Sequence, residues 1–202
     1  MTEIVQEPGG LASRFLFEAL GAFFSLAKTV DHGMANTGDG IILGLDPGSR
    51  ATGYGLVRER SGVLELVDAG VVRTTSQPDF PSRLGVIFTA VAELIQRHGP
   101  AEVSVENVFV SKNAATALKL GQARGAALAA CAVAGLSVHS YEPTVIKQSL
   151  VGTGRAEKSQ VAFMVARVLA CRETFAVDAT DALAAAVCHL NQRRLTRLCG
   201  AR

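Results

Sequence analysis

The stretch that decides the fold is ILGLDPGSRATGYGLV, which spans residues 42–57. An apolar run ends at Asp46, the sequence Pro47-Gly48-Ser49 breaks it, and a second apolar run resumes at Tyr54. This pattern predicts two β-strands joined by a short turn. A carboxylate at the end of a buried strand is costly to desolvate unless a cation or a donor pairs with it. Asp46 is therefore the first candidate for a functional residue.

Composition bounds the class of protein. The chain has 202 residues, 49% of them hydrophobic, which is enough for one sizeable domain. Its formal net charge is only +2, so a surface for nucleic acid must come from local clusters of basic residues. The four cysteines form no CxxC pair, which favours a reducing cytoplasm without disulfides. Charged residues interrupt the apolar stretch at 11–30, so no membrane span is expected.

Strand and helix patterns follow one another along the rest of the chain. Five stretches are typical of β-strands: 41–46, 53–60, 63–74, 101–110 and 136–141. Five stretches have helical spacing or composition: about 81–98, 113–134, 143–150, 157–171 and 179–191. Short turns separate the first three strands, which predicts an antiparallel meander. The order predicts an α/β fold with a mixed five-stranded sheet, half antiparallel and half parallel, covered by helices.

Four acidic residues are candidates for one shared site: Asp46, Glu106, Asp178 and Asp181. Asp46 and Glu106 stand at or near the carboxyl ends of predicted strands, where sites gather in parallel sheets. Asp178 and Asp181 are three residues apart, so they share a face at the start of the last helix. Taken alone, Asp178 could be a helix cap and Asp46 a turn residue.

Taken together, the four acids favour a metal site. Two carboxylates about 4 Å apart repel by roughly 4 kcal/mol at an effective dielectric constant near 20, so a cluster must share protons or bind cations. Oxygen ligands without His or Cys select Mg²⁺ or Mn²⁺. Two such ions about 3.5–4 Å apart can activate a water molecule and stabilise the leaving oxygen of a phosphodiester. The expected chemistry is metal-dependent phosphodiester hydrolysis.

Four motifs in one order resemble the RuvC family of Holliday junction resolvases. They are ILGLDPGSRATGYGLV, SVENVFVSKNAATALKLGQARGAAL, VIKQSLVGTGRAEKSQV and DATDALAAAVCH. The resemblance runs from about Ile41 to His189. It implies an RNase H-like fold, a homodimer and Mg²⁺ dependence. It also implies paired symmetric nicks across a four-way DNA junction in recombination and repair, in cooperation with the RuvA–RuvB branch-migration complex.

The same resemblance implies roles for individual residues. By position, the four acids are the catalytic metal ligands, although some family members have His where this chain has Asp178. Phe109 matches an aromatic that contacts unpaired bases at the junction. Lys147 and Lys158 match basic residues that face DNA near the scissile phosphate. Asn107 departs from the family, in which Gln is common beside the glutamate.

Further phosphate contacts are expected from basic residues near these motifs: Arg50, Lys112 and Arg155. The segment GTGRAEKS at 152–159 lacks the P-loop pattern because Glu157 stands where the second Gly should precede the lysine. ATP binding at this loop is therefore not expected.

The resemblance also divides the chain. Residues 1–40 have no counterpart in the family and are predicted to be an N-terminal extension, either disordered or upstream of the true start. Residues 41–192 are the predicted RNase H-like nuclease domain, and residues 193–202 a basic C-terminal tail.

Three other functions compete with junction resolution. An actin-like ATPase or small-molecule kinase shares the strand–Asp–x–Gly–Ser turn, but it needs a second phosphate loop and an adenosine pocket. A junction-binding scaffold would need no catalysis. A simpler nuclease on the same fold would cut RNA–DNA hybrids or single strands.

Overall fold

This computed structural model describes residues 40–107, 113–171 and 174–200. Five strands lie in these stretches: β1 (Ile41–Asp46), β2 (Ala51–Arg60), β3 (Val63–Arg73), β4 (Glu102–Glu106) and β5 (Ser137–Tyr141). Five helices accompany them: α1 (Phe80–His98), α2 (Ala114–Val133), α3 (Pro143–Val151), α4 (Lys158–Val168) and α5 (Val177–Gly200). Their order along the chain is the predicted one. None of these helices is long and apolar enough to cross a membrane.

The strands form one sheet in the order β3-β2-β1-β4-β5. β1, β2 and β3 pair antiparallel, whereas β4 pairs parallel with both β1 and β5. The predicted mixed sheet is confirmed. The β2–β3 connection is a two-residue turn in which Ser61 and Gly62 both have positive φ, of 50° and 82°. Such turns match the twist of the flanking strands.

The sheet separates two apolar layers. Ile42 and Val57 share one buried cluster with residues of α3, α4 and α5. On the other face, Leu43, Val103 and Val105 share a cluster with residues of α1 and α2. Because successive strand residues point to opposite faces, this division follows directly from the sequence alternation. Val103 and Val105, two residues apart, accordingly lie on the same face of β4.

Glycines let α5 approach the sheet closely. A Cβ atom added at Gly44 would collide with the backbone oxygen of Ala182, and one added at Gly53 would collide with that of Asp178. Gly55 faces Leu183 in the same way. The helix therefore rests on β1 and β2 with almost no side-chain layer between them. This close contact sets the distance between the first turns of α5 and the sheet.

The largest differences from the predicted boundaries are at the ends of three elements. β4 ends at Glu106 rather than at residue 110, and α4 ends at Val168, where Leu169 caps it and Ala170 takes a positive φ of 50°. α5 spans Val177–Gly200 rather than 179–191, so it also contains most of the segment assigned to a basic tail. The extra turns are held by Arg194, whose guanidinium contacts Glu59 of β2 at 2.7 Å. A contact between residues so distant in sequence leaves no local pattern.

Candidate active site

Asp46 and Glu106 end neighbouring parallel strands. Leu45 pairs with Val105 in the β1–β4 ladder, so the next residues, Asp46 and Glu106, leave the same edge of the sheet side by side. Both side chains are partly buried. This is the arrangement expected where acidic residues stand at the carboxyl ends of adjacent parallel strands.

α5 brings the other two acids to this edge. Its first turns carry Asp178 and Asp181, and Asp178 has its backbone oxygen against Gly53, the residue that pairs with Asp46. Both aspartates are partly buried. A larger residue at Gly53 would push the helix end, and both carboxylates, away from Asp46.

The electrostatics of Asp46 show how close these groups are. Burial first, and then the charges of Glu106, Asp181 and Asp178, raise the pKa of Asp46 to about 7. The pKa of Glu106 is also raised, by burial and then by Asp181. An excess of negative charge in a half-buried place favours the protonated acids. It equally favours a bound cation, because a cation relieves the same repulsion.

The positively charged side chain of Lys158 contacts this acid cluster. The Lys158 ammonium lies 2.9 Å from Oδ2 of Asp181, and this hydrogen bond raises the pKa of Lys158. Lys147 lies near enough to Glu106 for its charge to lower the pKa of that acid. Glu106, Asp181 and both lysines line one cleft. This cleft thus holds two of the four predicted acids and the two lysines predicted to face the scissile phosphate. Asp46 lies near enough to Glu106, Asp181 and Asp178 for their charges to raise its pKa.

Of the four other predicted DNA contacts, two are exposed and two lie outside the described residues. Arg50, in the β1–β2 turn, and Arg155, between α3 and α4, are exposed. Phe109 and Lys112 fall in residues 108–112, outside the described residues.

Asn107, noted in the sequence only as a departure from the family, is hydrogen-bonded to several distant residues. Its side-chain amide donates to Oε1 of Glu142 at 2.9 Å, and its side-chain oxygen accepts from Arg124 of α2 at 3.2 Å. Its backbone N–H donates to the oxygen of Tyr141 at 2.8 Å. These bonds fix the backbone directly after Glu106. The partners are far apart in sequence, so only the position of Asn107 beside the acid could have indicated this role.

A second cluster was not predicted at all. Nε2 of His189 and Nε2 of His139 lie 2.9 and 3.1 Å from the same oxygen of Glu102. His189 is 2% exposed, and burial is the main cause that lowers its pKa. His189 therefore lies in the protein interior. The separation of these residues in sequence again left no local signal.

The donor set at the acid cluster fits a hard divalent cation. The four predicted ligands offer carboxylate oxygens only, the ligand type that suits Mg²⁺ and Mn²⁺. Burial, and then the three neighbouring carboxylates, raise the pKa of Asp46, and a bound cation would stabilise its charged form.

Comparison with known proteins settles the family. The sequence model for crossover junction endodeoxyribonuclease RuvC matches residues 42–189. The chain belongs to the RuvC family. A RuvC from Oleidesulfovibrio alaskensis is 62% identical over 157 residues, 78% of this chain and 94% of that protein. A RuvC from a Geobacter species is 51% identical over 158 residues, 78% of this chain and 96% of that protein.

Solved structures agree with this assignment. Thermus thermophilus RuvC is 35% identical with a TM-score of 0.70, covering 77% of this chain and 96% of that one. The same protein in complex with a Holliday junction substrate is 34% identical with a TM-score of 0.69, covering 77% and 95%. The yeast mitochondrial Holliday junction resolvase shares the fold at 11% identity, with a TM-score of 0.64 and coverage of 96% and 90%. The chain therefore has the RNase H-like fold of these resolvases.

Proposed function

We propose that this RuvC-family chain resolves four-way (Holliday) DNA junctions by paired, symmetric, metal-dependent phosphodiester hydrolysis in recombination and repair. The observation that carries the proposal is the position of the four acids: Asp46 and Glu106 follow paired residues of adjacent parallel strands, and Asp178 and Asp181 open the helix that packs on Gly53. The complex of the T. thermophilus relative with a Holliday junction substrate supports the choice of DNA substrate. Family membership also favours a nuclease over an ATPase or a scaffold without catalysis.

In this proposal the four acids hold two Mg²⁺ ions, or Mn²⁺ in their place: Asp46, Glu106, Asp178 and Asp181. When bound, the ions activate a water molecule and stabilise the leaving oxygen of the phosphodiester. Asp46 loses its proton as the cations bind, because a cation favours the charged carboxylate. Lys158 holds Asp181 in place at 2.9 Å and, with Lys147, offers positive charge to the scissile phosphate.

The wider contacts of this proposal come from the family resemblance. Phe109 would contact unpaired bases at the junction, and three basic residues would contact the DNA backbone: Arg50, Lys112 and Arg155. A homodimer would present two identical sites related by a two-fold axis, which matches the near-symmetry of a four-way junction. We further propose a cytoplasmic protein that cooperates with the RuvA–RuvB complex, with residues 41–192 as the nuclease domain between an N-terminal extension and a basic tail.

A cleavage assay tests this function. The full chain is incubated with a mobile four-way junction and with a linear duplex of matching sequence, in Mg²⁺ and in EDTA. We expect paired nicks on the junction alone, only in Mg²⁺, with ends that ligase can reseal. Equal cutting of the linear duplex would instead indicate a simpler nuclease on the same fold.

Asp46→Asn separates binding from cutting in the same assay. The variant keeps the shape of the side chain but loses its charge, so it should bind the junction and not cut it. Glu93→Gln is the matched control, because Glu93 is an exposed acid of α1. It should cut like the unmodified chain. A fully active Asp46→Asn variant would refute the proposed role of this acid.

A further inference from the structure

A group of two histidines and one glutamate lies away from the acid cluster. Glu102 begins β4, whose other end carries Glu106, and His189 follows Asp181 on α5 by eight residues. At 3.3 Å per strand residue and 1.5 Å per helical residue, the two clusters are separated by about 12–13 Å. Between them, the hydroxyl of Ser104 donates to the oxygen of Ala185 at 2.7 Å. The acid cluster and the group of Glu102, His139 and His189 are therefore distinct sites along the contact between the sheet and α5.

The three side chains direct donor atoms at one point. Nε2 of His139, Nε2 of His189 and a carboxylate oxygen of Glu102 all lie within 4.8 Å of one another. Two imidazoles and one carboxylate are the ligand set of many zinc sites, which keep a fourth position for water. Imidazole nitrogens favour Zn²⁺ and its neighbours over Mg²⁺.

Neighbouring side chains contact the second polar atoms of His189 and Glu102, as is usual for residues that bind a metal. Nδ1 of His189 is hydrogen-bonded to the hydroxyl of Tyr141 at 2.7 Å. If Nδ1 carries the proton, Nε2 is left free to coordinate. Arg193 approaches Oε1 of Glu102 at 3.2 Å, which leaves Oε2 facing both histidines. Ligating histidines and carboxylates usually have such partners at their second polar atom.

Access and burial also suit an ion. The His189 side chain is 2% exposed, the Glu102 side chain 26% and the His139 side chain 42%. The cluster is thus closed on the side of α5 and open on the side of His139, which provides an entry path. The positive charge of Arg193 opposes a second cation, so this site should be weaker than one built from carboxylates alone.

We propose that Glu102, His139 and His189 form a binding site for a borderline transition-metal ion of the Zn²⁺ class, separate from the acid cluster. The ion would join β4, β5 and α5 at the end of the sheet opposite Glu106. This site goes beyond junction cleavage and does not depend on it. Its role is structural: it secures α5, the helix that also carries Asp178 and Asp181.

Metal titration tests the proposal on the full chain carrying Asp46→Asn, which weakens cation binding at the acid cluster. Zn²⁺ is titrated against a chromogenic chelator with excess Mg²⁺ present, and Co²⁺ is followed by its visible absorption. We expect one Zn²⁺ per chain and a rise in melting temperature on binding. Adding His139→Gln or Glu102→Gln should lower Zn²⁺ affinity by at least about 10–100-fold, the loss typical even of outer-shell changes.

The matched control is His98→Gln. His98 is also a partly buried histidine beside a carboxylate, 3.3 Å from Asp68, but it belongs to no three-ligand group among the described residues. Its removal should leave Zn²⁺ binding unchanged. Binding that survives His139→Gln and Glu102→Gln, or no binding by the parent chain, overturns the proposal. In the latter case the three side chains form only a hydrogen-bonded network.

Discussion

At the scale of single residues, Asp46 is the most informative position. It lies at the end of a buried strand, beside Glu106 and below the start of α5. The sequence predicts the strand and the turn, but the pKa of about 7 arises only in the folded chain, from burial first and then from the charges of the distant acids. An acid with such a pKa is partly protonated near neutral pH, and a cation must displace that proton.

The pKa of Asp46 predicts how stability depends on pH without metal. The pKa rises from 3.8 to about 7 on folding, so the folded chain binds more protons than the unfolded chain between these values. The stabilising contribution is fully present below about 4 and is lost as pH rises through about 7. In EDTA, the melting temperature should therefore fall over this range. Asp46→Asn should flatten the dependence of melting temperature on pH, whereas the control Glu93→Gln should not. Identical melting curves against pH for the parent chain and both variants would exclude the pKa shift of Asp46.

Lys158 predicts a second pH effect. Its charge lowers the pKa of both Asp46 and Glu106, so Lys158→Met should move the acid limb of the cleavage profile to higher pH and slow cleavage. Stability should change by less than about 1 kcal/mol, because the Lys158 side chain is 72% exposed and exposed ion pairs contribute little. The measurement is single-turnover cleavage against pH, with exposed Lys119→Met as control. An unshifted profile would mean that Lys158 does not act on these acids.

At the scale of elements, the decisive contact is α5 on β1 and β2. Gly44 and Gly53 have no side chains where the helix backbone passes, so the helix end and its two aspartates can reach Asp46. The glycines of the stretch at 42–57 thus allow α5 to approach the sheet, in addition to forming the turn.

Gly44→Ala tests this contact. The added methyl group would meet the backbone oxygen of Ala182, which cannot move without the helix. We expect a loss of roughly 1–3 kcal/mol or more in the free energy of unfolding, as for other overpacked cores. Urea denaturation measures it. Gly85→Ala is the control: Gly85 is an exposed residue of α1 with open space around its Cβ position, so this change should stabilise by about 0.5–1 kcal/mol. Equal stability of Gly44→Ala and the parent would contradict the packing account.

Hydrophobic periodicity and turn residues predicted the strands and helices well. Alternation in β4, the two-residue turn before β3 and the helical spacing in α1 are local signals, and each appears in the structure as expected. The predicted ends of β4 and α5 were wrong. For α5 the reason is a tertiary contact, that of Arg194 with Glu59, which has no local signal in the sequence.

The site was only partly predictable for the same reason. Asp46 and Glu106 could be placed at strand ends from sequence, whereas the pairing of Lys158 with Asp181 joins two helices that no local pattern connects. The group of Glu102, His139 and His189 is drawn from β4, β5 and α5, so it becomes visible only when the sheet is assembled.

At the scale of the whole molecule, the formal net charge of +2 cannot explain DNA binding, so the charge around the cleft must do so. Lys147→Met removes a basic side chain that lines the cleft. It should weaken junction binding and reduce the slope of log affinity against log salt by about 1. Binding isotherms at several salt concentrations measure this slope. Lys119→Met should leave it unchanged, and an equal effect of both variants would assign the DNA surface elsewhere.

The central claim is that four carboxylates distant in sequence converge into one site for divalent cations. Calorimetric titration of Mn²⁺ at about pH 7, in two buffers of different ionisation enthalpy, tests it most directly. Binding should release protons, because Asp46 must ionise, and Asp46→Asn should abolish that release and weaken binding. Mn²⁺ binding of equal affinity and equal proton release in the parent chain and Asp46→Asn would contradict the claim.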